Sequence, residues 1–395
     1  VHKRALVVGL GIAGMSAALG LRQAGWTPVI VERAPQRRTG GYFVGLMTEG
    51  RRAARDLGIA GHLHTRNPPD GGKVWSLTRR GDREPGLGFL HQPGDPAAVV
   101  RGDIEAALWR SISGEATGEP VEVRFATAPV EIEDTGGGVR VLLEDGGTGT
   151  RYGEDFDLVV GADGLRSRVR RMAFGPHENY MRDWDAMICA FELQEQMPSF
   201  AAADSLISAQ AGRAVWVFGF ADRPPTVLLT YRTGDTRGQF AGSAVQRLRA
   251  VFSGMEDPVV RHALAALEQA PEFVFDSVHQ VRMPRWSEGR VLLSGDAAWC
   301  PNLYSGMGAT AALCGGAELG RALRESADDL DAALEAWESR LRPFITKHQR
   351  LARLKQQMFV PSSRPVEALR SVVLRVACTV RERRLAKQAR AGIPA

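Results

Sequence analysis

Hydrophobic and polar positions along the chain alternate between two regimes. Short, mostly apolar runs, Ala5 to Val8, Pro28 to Val31, Phe156 to Val160 and Arg290 to Ser294, have the length and composition of strands buried on both faces. Three of them open directly into glycine-containing loops followed by helical spacing. A helix is predicted after Gly9, another over 49–57 ended by Gly58, a third from Ile104 onward, and a small-residue helix over 309–323. Between residues 176 and 285 the period changes. Ala186 to Leu193, Ala214 to Phe220 and Thr226 to Tyr231 read as strands, with Trp216, Phe218 and Phe220 alternating and a Pro224-Pro225 turn before the last, while Ala244 to Phe252 and Val259 to Leu267 return to helical spacing. Val121 to Phe125, Val130 to Glu133 and Val139 to Leu143, with the turn signal Asp134 to Gly138, predict a small antiparallel group.

The first run carries the most chemistry. Gly9, Gly11 and Gly14 form a G-x-G-x-x-G turn around Ile12 and Ala13, and the second strand ends in Glu32, about 20 residues on, followed by Arg33 and a basic turn to Arg38. Gly9 permits the turn, Gly11 lets a pyrophosphate approach the backbone, and Gly14 lets helix lie close on strand. The helix start then offers free amides and a positive dipole end. Glu32 stands where a carboxylate meets a ribose. A dinucleotide site follows from this stretch, without saying which dinucleotide. Gly40-Gly41-Tyr42-Phe43 reads equally as a plain loop or as backbone approaching a flat ligand. Arg101, at a strand-to-helix junction, can reach phosphate, although a surface cap is the simpler reading on position alone. Asp163 after Gly161 can hold a ribose or bond a loop amide.

Composition changes little in this picture. With 395 residues the chain is long for one core, and 44% hydrophobic with 24% charged residues is ordinary for a globular enzyme. Fifty basic against 45 acidic residues leave a net charge of +5, and no aromatic-interleaved basic stripe points to nucleic acid. Cys189, Cys300, Cys314 and Cys378 make no C-x-x-C pair, which argues against a zinc site or disulfide framework and for a reduced, cytoplasmic setting. No run is long enough to span a bilayer, and the start of the sequence leaves no room for a signal peptide.

The three glycine junctions, Gly9 to Gly14 with Glu32, DLVVGADGLRSRVR around Asp163, and GRVLLSGDAAWCPNLYSGMGAT around Gly295 and Asp296, together resemble the group A flavoprotein monooxygenases, the p-hydroxybenzoate hydroxylase-like enzymes. The match runs from Leu6 to about Leu323. The resemblance implies an α/β fold: a Rossmann-like FAD-binding domain over 1–175 and 286–345, an inserted, mainly antiparallel substrate domain over 176–285, and C-terminal helices over 346–395, with the Gly- and Pro-rich excursion 62–97 able to join the substrate domain. It implies FAD as cofactor and NAD(P)H as co-substrate, with O2 adding at the flavin C4a position and the hydroperoxide passing oxygen to an aromatic or polyketide-like small molecule. The glycine turn would take the pyrophosphate, Glu32 and Arg33 the adenosine side, Arg101 the ribityl and phosphate region, Asp163 the motif shared with the nicotinamide donor, and Gly295 with Asp296 the ribityl chain or pyrophosphate. Pro301, Gly306, Met307 and Gly308 would form the backbone around the flavin ring, Pro301 fixing the loop and the amides around Gly306 to Gly308 donating, without a side-chain nucleophile or metal. Trp216, Phe218, Phe220 and Trp299 are the substrate-side expectations, though an aromatic strand face is more often core. Trp299 stands where many members carry histidine. A tailoring role in secondary metabolism and a monomer or homodimer are further expectations.

Two rivals use the same motifs: a reductase or desaturase that transfers no oxygen, and a non-catalytic FAD-binding module. A flavin-dependent halogenase is excluded, because its W-x-W-x-I-P signature is absent. Near the C-terminus, Val366, Leu369, Val372, Val373, Val376 and Val380 form an apolar stripe with Arg370, Arg375, Arg381, Arg383 and Arg384 around it. Packing on the protein itself is the expected use of that stripe, and lying on a membrane surface the alternative.

Overall fold

The buried apolar runs come together in one sheet. In the computed structural model, which describes residues 3–37, 40–68, 72–92, 96–116, 118–326 and 329–390, strand Arg4–Val8 lies between Thr27–Val31 and Leu158–Gly161, parallel to both. Leu158–Gly161 in turn pairs in parallel with Val291–Leu293. Glu122–Arg124 and the antiparallel Ser287–Glu288 complete the six strands at the edges. Leu6, Val7, Leu158, Val159 and Val160 have no exposed surface, as a sheet covered on both faces requires.

Helix Ile12–Gln23, which follows the first strand, packs against Gly308–Glu325 through glycines. A Cβ on Gly316 would lie 2.3 Å from the Ser16 carbonyl carbon, and one on Gly20 would lie 2.1 Å from the Gly316 oxygen. The glycines of helix Gly308–Glu325 that face Ile12–Gln23 are therefore required by backbone contact. The expected antiparallel group forms from Thr127–Asp134, Val139–Asp145 and Arg151–Phe156, with the Thr135 amide closing the turn on the Gly138 oxygen at 2.9 Å. These elements belong to a unit made of residues 1–65, 99–182 and 279–352.

The second unit comprises residues 66–98, 183–278 and 353–395. Its seven-stranded sheet runs in the order Val274–Val281, Met181–Glu192, Thr226–Arg232, Arg213–Phe218, Ser205–Gln210, Val74–Leu77, Arg83–Pro85. Val74–Leu77 pairs in parallel with Ser205–Gln210, which is why the excursion groups here. Leu206, Val215, Val217 and Leu229 pack with Leu248, Phe252, Val260 and Ala263 of the helices Ala244–Phe252 and Pro258–Gln269. The strand expected over 214–220 stops at Phe218, and Phe220 lies beyond it.

The C-terminal region differs from the sequence reading in two ways. Helix Leu330–Phe359 is continuous across residue 346, and the chain from Arg353 groups with the second unit instead of standing apart. In helix Arg364–Arg390 the inward face is Arg370, Leu374 and Cys378, each under a tenth exposed, with the Arg370 Nε donating to the Met358 oxygen at 2.7 Å. The valine stripe faces solvent, because a capped arginine at one helical repeat from Leu374 takes the inward positions instead. Arg38 and the Arg384 side chain lie outside the described residues.

Candidate cofactor site

The ends of three neighbouring parallel strands set the site. Gly9 follows Arg4–Val8 with φ +107°, and a Cβ there would come 2.6 Å from the Ala162 oxygen, so the first and second junctions touch through backbone. Gly295, φ +65°, would meet the Ala13 Cβ at 2.5 Å, which brings the third junction against the first. A Cβ on Gly14 would sit 1.9 Å from the Gly9 oxygen, so only glycine lets the helix start this close to its strand. Gly11 is different. Among the described residues, the one heavy atom beyond its chain neighbours within 4 Å of its added Cβ is Nη2 of Arg101, at 3.9 Å, so these residues leave the space above the start of helix Ile12–Gln23 open, with an arginine at its margin.

Both predicted carboxylates are engaged with their own loops. Glu32 accepts from the Leu10 and Ala34 amides, each at 2.9 Å, and so holds the glycine turn against the second strand. Asp163 accepts from the Ser167 hydroxyl at 2.5 Å and from the Arg168 and Val169 amides at 2.6 and 3.2 Å, at the start of helix Arg168–Ala173. Of the two uses open to Asp163 in the sequence, the loop-amide bond is the one present. Arg33 is exposed on the turn after Glu32. Arg101 begins helix Arg101–Ile112 and pairs with Glu105 at 2.7 Å.

Asp296 opens onto the same cleft while protein surrounds it, and that burial pushes its carboxyl above the ordinary range, opposed by a hydrogen bond from the Cys300 thiol and by the charge of Arg101. The Cys300 thiol is raised further still, by burial and by Asp296, which keeps it protonated. Tyr42 shares these neighbours. Burial raises its phenol, Arg101 pulls it down and Asp296 pushes it up. The Arg101 amide donates to the Tyr42 oxygen at 3.1 Å, and a Cβ on Gly41 would lie 2.9 Å from the Arg101 Cβ. Gly40-Gly41 thus brings Tyr42 to Arg101; the sequence left that stretch open between a plain loop and backbone approaching a flat ligand, and did not mark the Tyr42 side chain.

The loop from Pro301 to Gly308 is pinned at its start. Gln280 Nε2 donates to the Pro301 oxygen at 3.2 Å, and Gln349 Nε2 to the Trp299 oxygen at 2.9 Å; both glutamines are buried. Inside it, Asn302 (φ +75°) accepts from the Ser305 amide at 3.1 Å, the Ser305 hydroxyl donates to the Asn302 oxygen at 2.7 Å, and the Met307 amide donates to the Ser305 hydroxyl at 3.1 Å. The Met307 amide is therefore occupied. The first amides of helix Gly308–Glu325, at Gly308 and Ala309, have no intrahelical acceptor and stand next to the exposed Gly306. Arg170, fully buried, donates to the Ala297 and Leu165 oxygens at 2.7 Å and ties the second junction to the third. In the sequence it is one of four arginines, at 166, 168, 170 and 171, and nothing in that pattern marks it as the inward one.

The aromatic expectations divide. Trp299 is 1% exposed and packs on Trp286 and Trp337, with ring centroids 4.5 and 5.5 Å away. Phe220 is fully buried. Neither presents a face to a ligand here. Trp216, 8% exposed, stacks on Phe359 at 4.3 Å, and Phe218, partly buried, lies 6.2 Å from Trp216. Both are on the sheet face opposite Val215 and Val217, away from that unit's own core.

The open space at Gly11, the arginine beside it and the nearby accessible Asp296 carboxyl fit a dinucleotide cofactor with its pyrophosphate on a helix start. Comparison with known proteins agrees. The family model described as FAD binding domain matches residues 3–351. A flavin-dependent monooxygenase of an unknown prokaryotic organism is 26% identical over 366 residues, covering 88% of this chain and 87% of its own. Tetracycline destructase Tet(55) superposes with a TM-score of 0.76 at 24% identity, over 94% of this chain and 95% of its own. HpxO of Klebsiella pneumoniae, solved with FAD and uric acid, gives 0.73 at 20% identity, over 94% and 93%. Those two structures share the fold. The chain belongs to the FAD binding domain family and is an FAD-dependent monooxygenase.

Proposed function

We propose that this monooxygenase draws electrons from NAD(P)H and transfers one oxygen atom of O2 to an aromatic or polyketide-like small molecule. Bound FAD supplies the electron and oxygen chemistry. The chain's part is grip, orientation and exclusion of water. Gly9, Gly11, Ile12, Ala13 and Gly14 cradle the pyrophosphate on helix amides, the space at Gly11 being the observation that carries this reading. Glu32 and Arg33 take the adenosine side; each Glu32 oxygen keeps a lone pair for a ribose hydroxyl beyond its amide bond. Arg101, Asp163, Gly295 and Asp296 line the middle of the site. Pro301, Gly306, Met307 and Gly308 shape the wall at the flavin ring, where the Gly308 and Ala309 amides and the helix dipole favour negative charge. Since Met307 gives its amide to Ser305, its share is to hold the loop shape.

The second unit serves as the substrate domain in this proposal, and the exposed part of the Trp216–Phe218 face is its aromatic wall. That an FAD-binding neighbour is solved with uric acid, and another is called a tetracycline destructase, supports a flat, conjugated substrate class. The test is turnover of candidate aromatic substrates with NADH or NADPH under labelled dioxygen. One labelled oxygen atom per product molecule is expected, with pyridine-nucleotide oxidation faster when substrate is present. Product formed without label would move the chain to the reductase or desaturase reading.

A further inference from the structure

We propose that the outward face of the C-terminal helix docks on an anionic lipid surface. Helix Arg364–Arg390 is anchored by Arg370, Leu374 and Cys378, and turns Leu369, Val372, Val373, Val376 and Val380 to solvent, each between 46% and 63% exposed. Their spacing of three and four residues makes one ridge. Single exposed apolar side chains need no explanation, but five in a continuous ridge do. Valine is also a poorer helix former than the polar residues that usually cover a solvent-facing position, so the ridge is not there to support the helix.

Charge decides what covers it. Three and seven positions beyond Val380 the same face continues as Arg383 and Lys387, and Arg375 and Arg381 flank the ridge, all exposed. The acids of the helix are Glu367 and Glu382. Glu367 is already held by Arg79 at 2.6 Å and by the Ala211 amide at 2.8 Å. A second copy laid on this ridge would bring like charges together, so an anionic partner is favoured. An apolar ridge edged by cations is the composition of a helix that lies in the headgroup region, valines toward the acyl boundary and guanidinium groups among the phosphates. No helix among the described residues is long and apolar enough to cross a membrane, which leaves docking along the surface.

The test uses the full FAD-loaded protein and co-sedimentation with mixed phosphatidylcholine–phosphatidylglycerol vesicles against phosphatidylcholine alone. Wild type is expected on the anionic vesicles only, and to be released by raised salt. Arg381→Ala with Arg383→Ala should weaken partition roughly 20–30-fold at low salt, from about fivefold per basic residue. Val372→Glu with Val376→Glu should abolish it. Both variants should keep FAD, because neither pair touches the cofactor site. Equal binding to neutral and anionic vesicles would overturn the proposal, as would double variants that bind like wild type. A dimer dissociated by the valine pair, in a protein that ignores vesicles, would assign the ridge to a second copy instead. Should the valine variant fail to fold, the arginine pair, exposed and unneeded by the helix core, decides.

Discussion

At the scale of single residues, the glycines of one motif divide into two physical kinds. Gly14 is locked, with an added Cβ 1.9 Å from a backbone oxygen, while Gly11 is open and has an extended conformation that any residue adopts (φ −81°, ψ −176°). Gly14→Ala is therefore expected to cost about 1–3 kcal/mol or more in stability. Gly11→Val should leave a folded protein that emerges colourless from gel filtration, and a yellow Gly11→Val protein would remove this turn from the cofactor site. Asp296 allows a pH prediction. Its folded carboxyl lies above the unfolded value, so the native state holds the proton more tightly and stability falls as pH rises through that window, with the full penalty above it. Because the Asp296 side chain reaches solvent, screening keeps this term small, and the Asp296→Asn apoprotein should be only slightly more stable than wild type at neutral pH, the difference closing as pH falls below the ordinary carboxylate range. Chemical denaturation across pH reads this, and the same variant should bind FAD more weakly. Glu32 and Gly295 were marked by the sequence because their types and spacing are tied to a strand end. Tyr42 and Arg170 were not marked, since what distinguishes them is which neighbours surround them.

Elements show the same division through their faces. Strand Arg213–Phe218 alternates as its sequence says, but alternation names two faces without saying which one meets the unit's own helices. The structure gives Val215 and Val217 to that core and leaves Trp216 and Phe218 on the other side. Val217→Ala should accordingly lower thermal stability by about 1–3 kcal/mol with KM for substrate unchanged. Phe218→Ala should raise KM with a smaller loss of stability, and equal effects from the two would dissolve the distinction between core and wall. The C-terminal helix makes the point more sharply. Its valines carry the amphipathic signal, yet the helix buries Arg370, Leu374 and Cys378, because a guanidinium that finds a backbone carbonyl can be packed inward. Periodicity located the ridge correctly along the helix and faced it the wrong way.

For the whole molecule, cofactor and fold are linked in this proposal, because the three strand ends that would hold FAD all belong to the first unit. Free FAD in hundredfold excess over its Kd should stabilise the protein by about 2.7 kcal/mol, and stripping it should lower the melting temperature correspondingly, as a thermal scan with and without FAD would record. The unit boundaries were only partly legible, since the short strand Val74–Leu77 and the residues after Arg353 join the second unit through pairing and packing with distant segments. By itself the sequence determined the parallel strands, the three glycine junctions and the class of cofactor, because buried strands are mostly apolar runs and backbone close approach admits only glycine. The tertiary structure alone decided that the three junctions abut, that Gln280, Gln349 and Arg170 pin the loops between them, and that Trp299 is core while the terminal valines are surface. Those outcomes depend on contacts between residues far apart in the chain, and a local pattern of side chains carries no record of what it will be packed against.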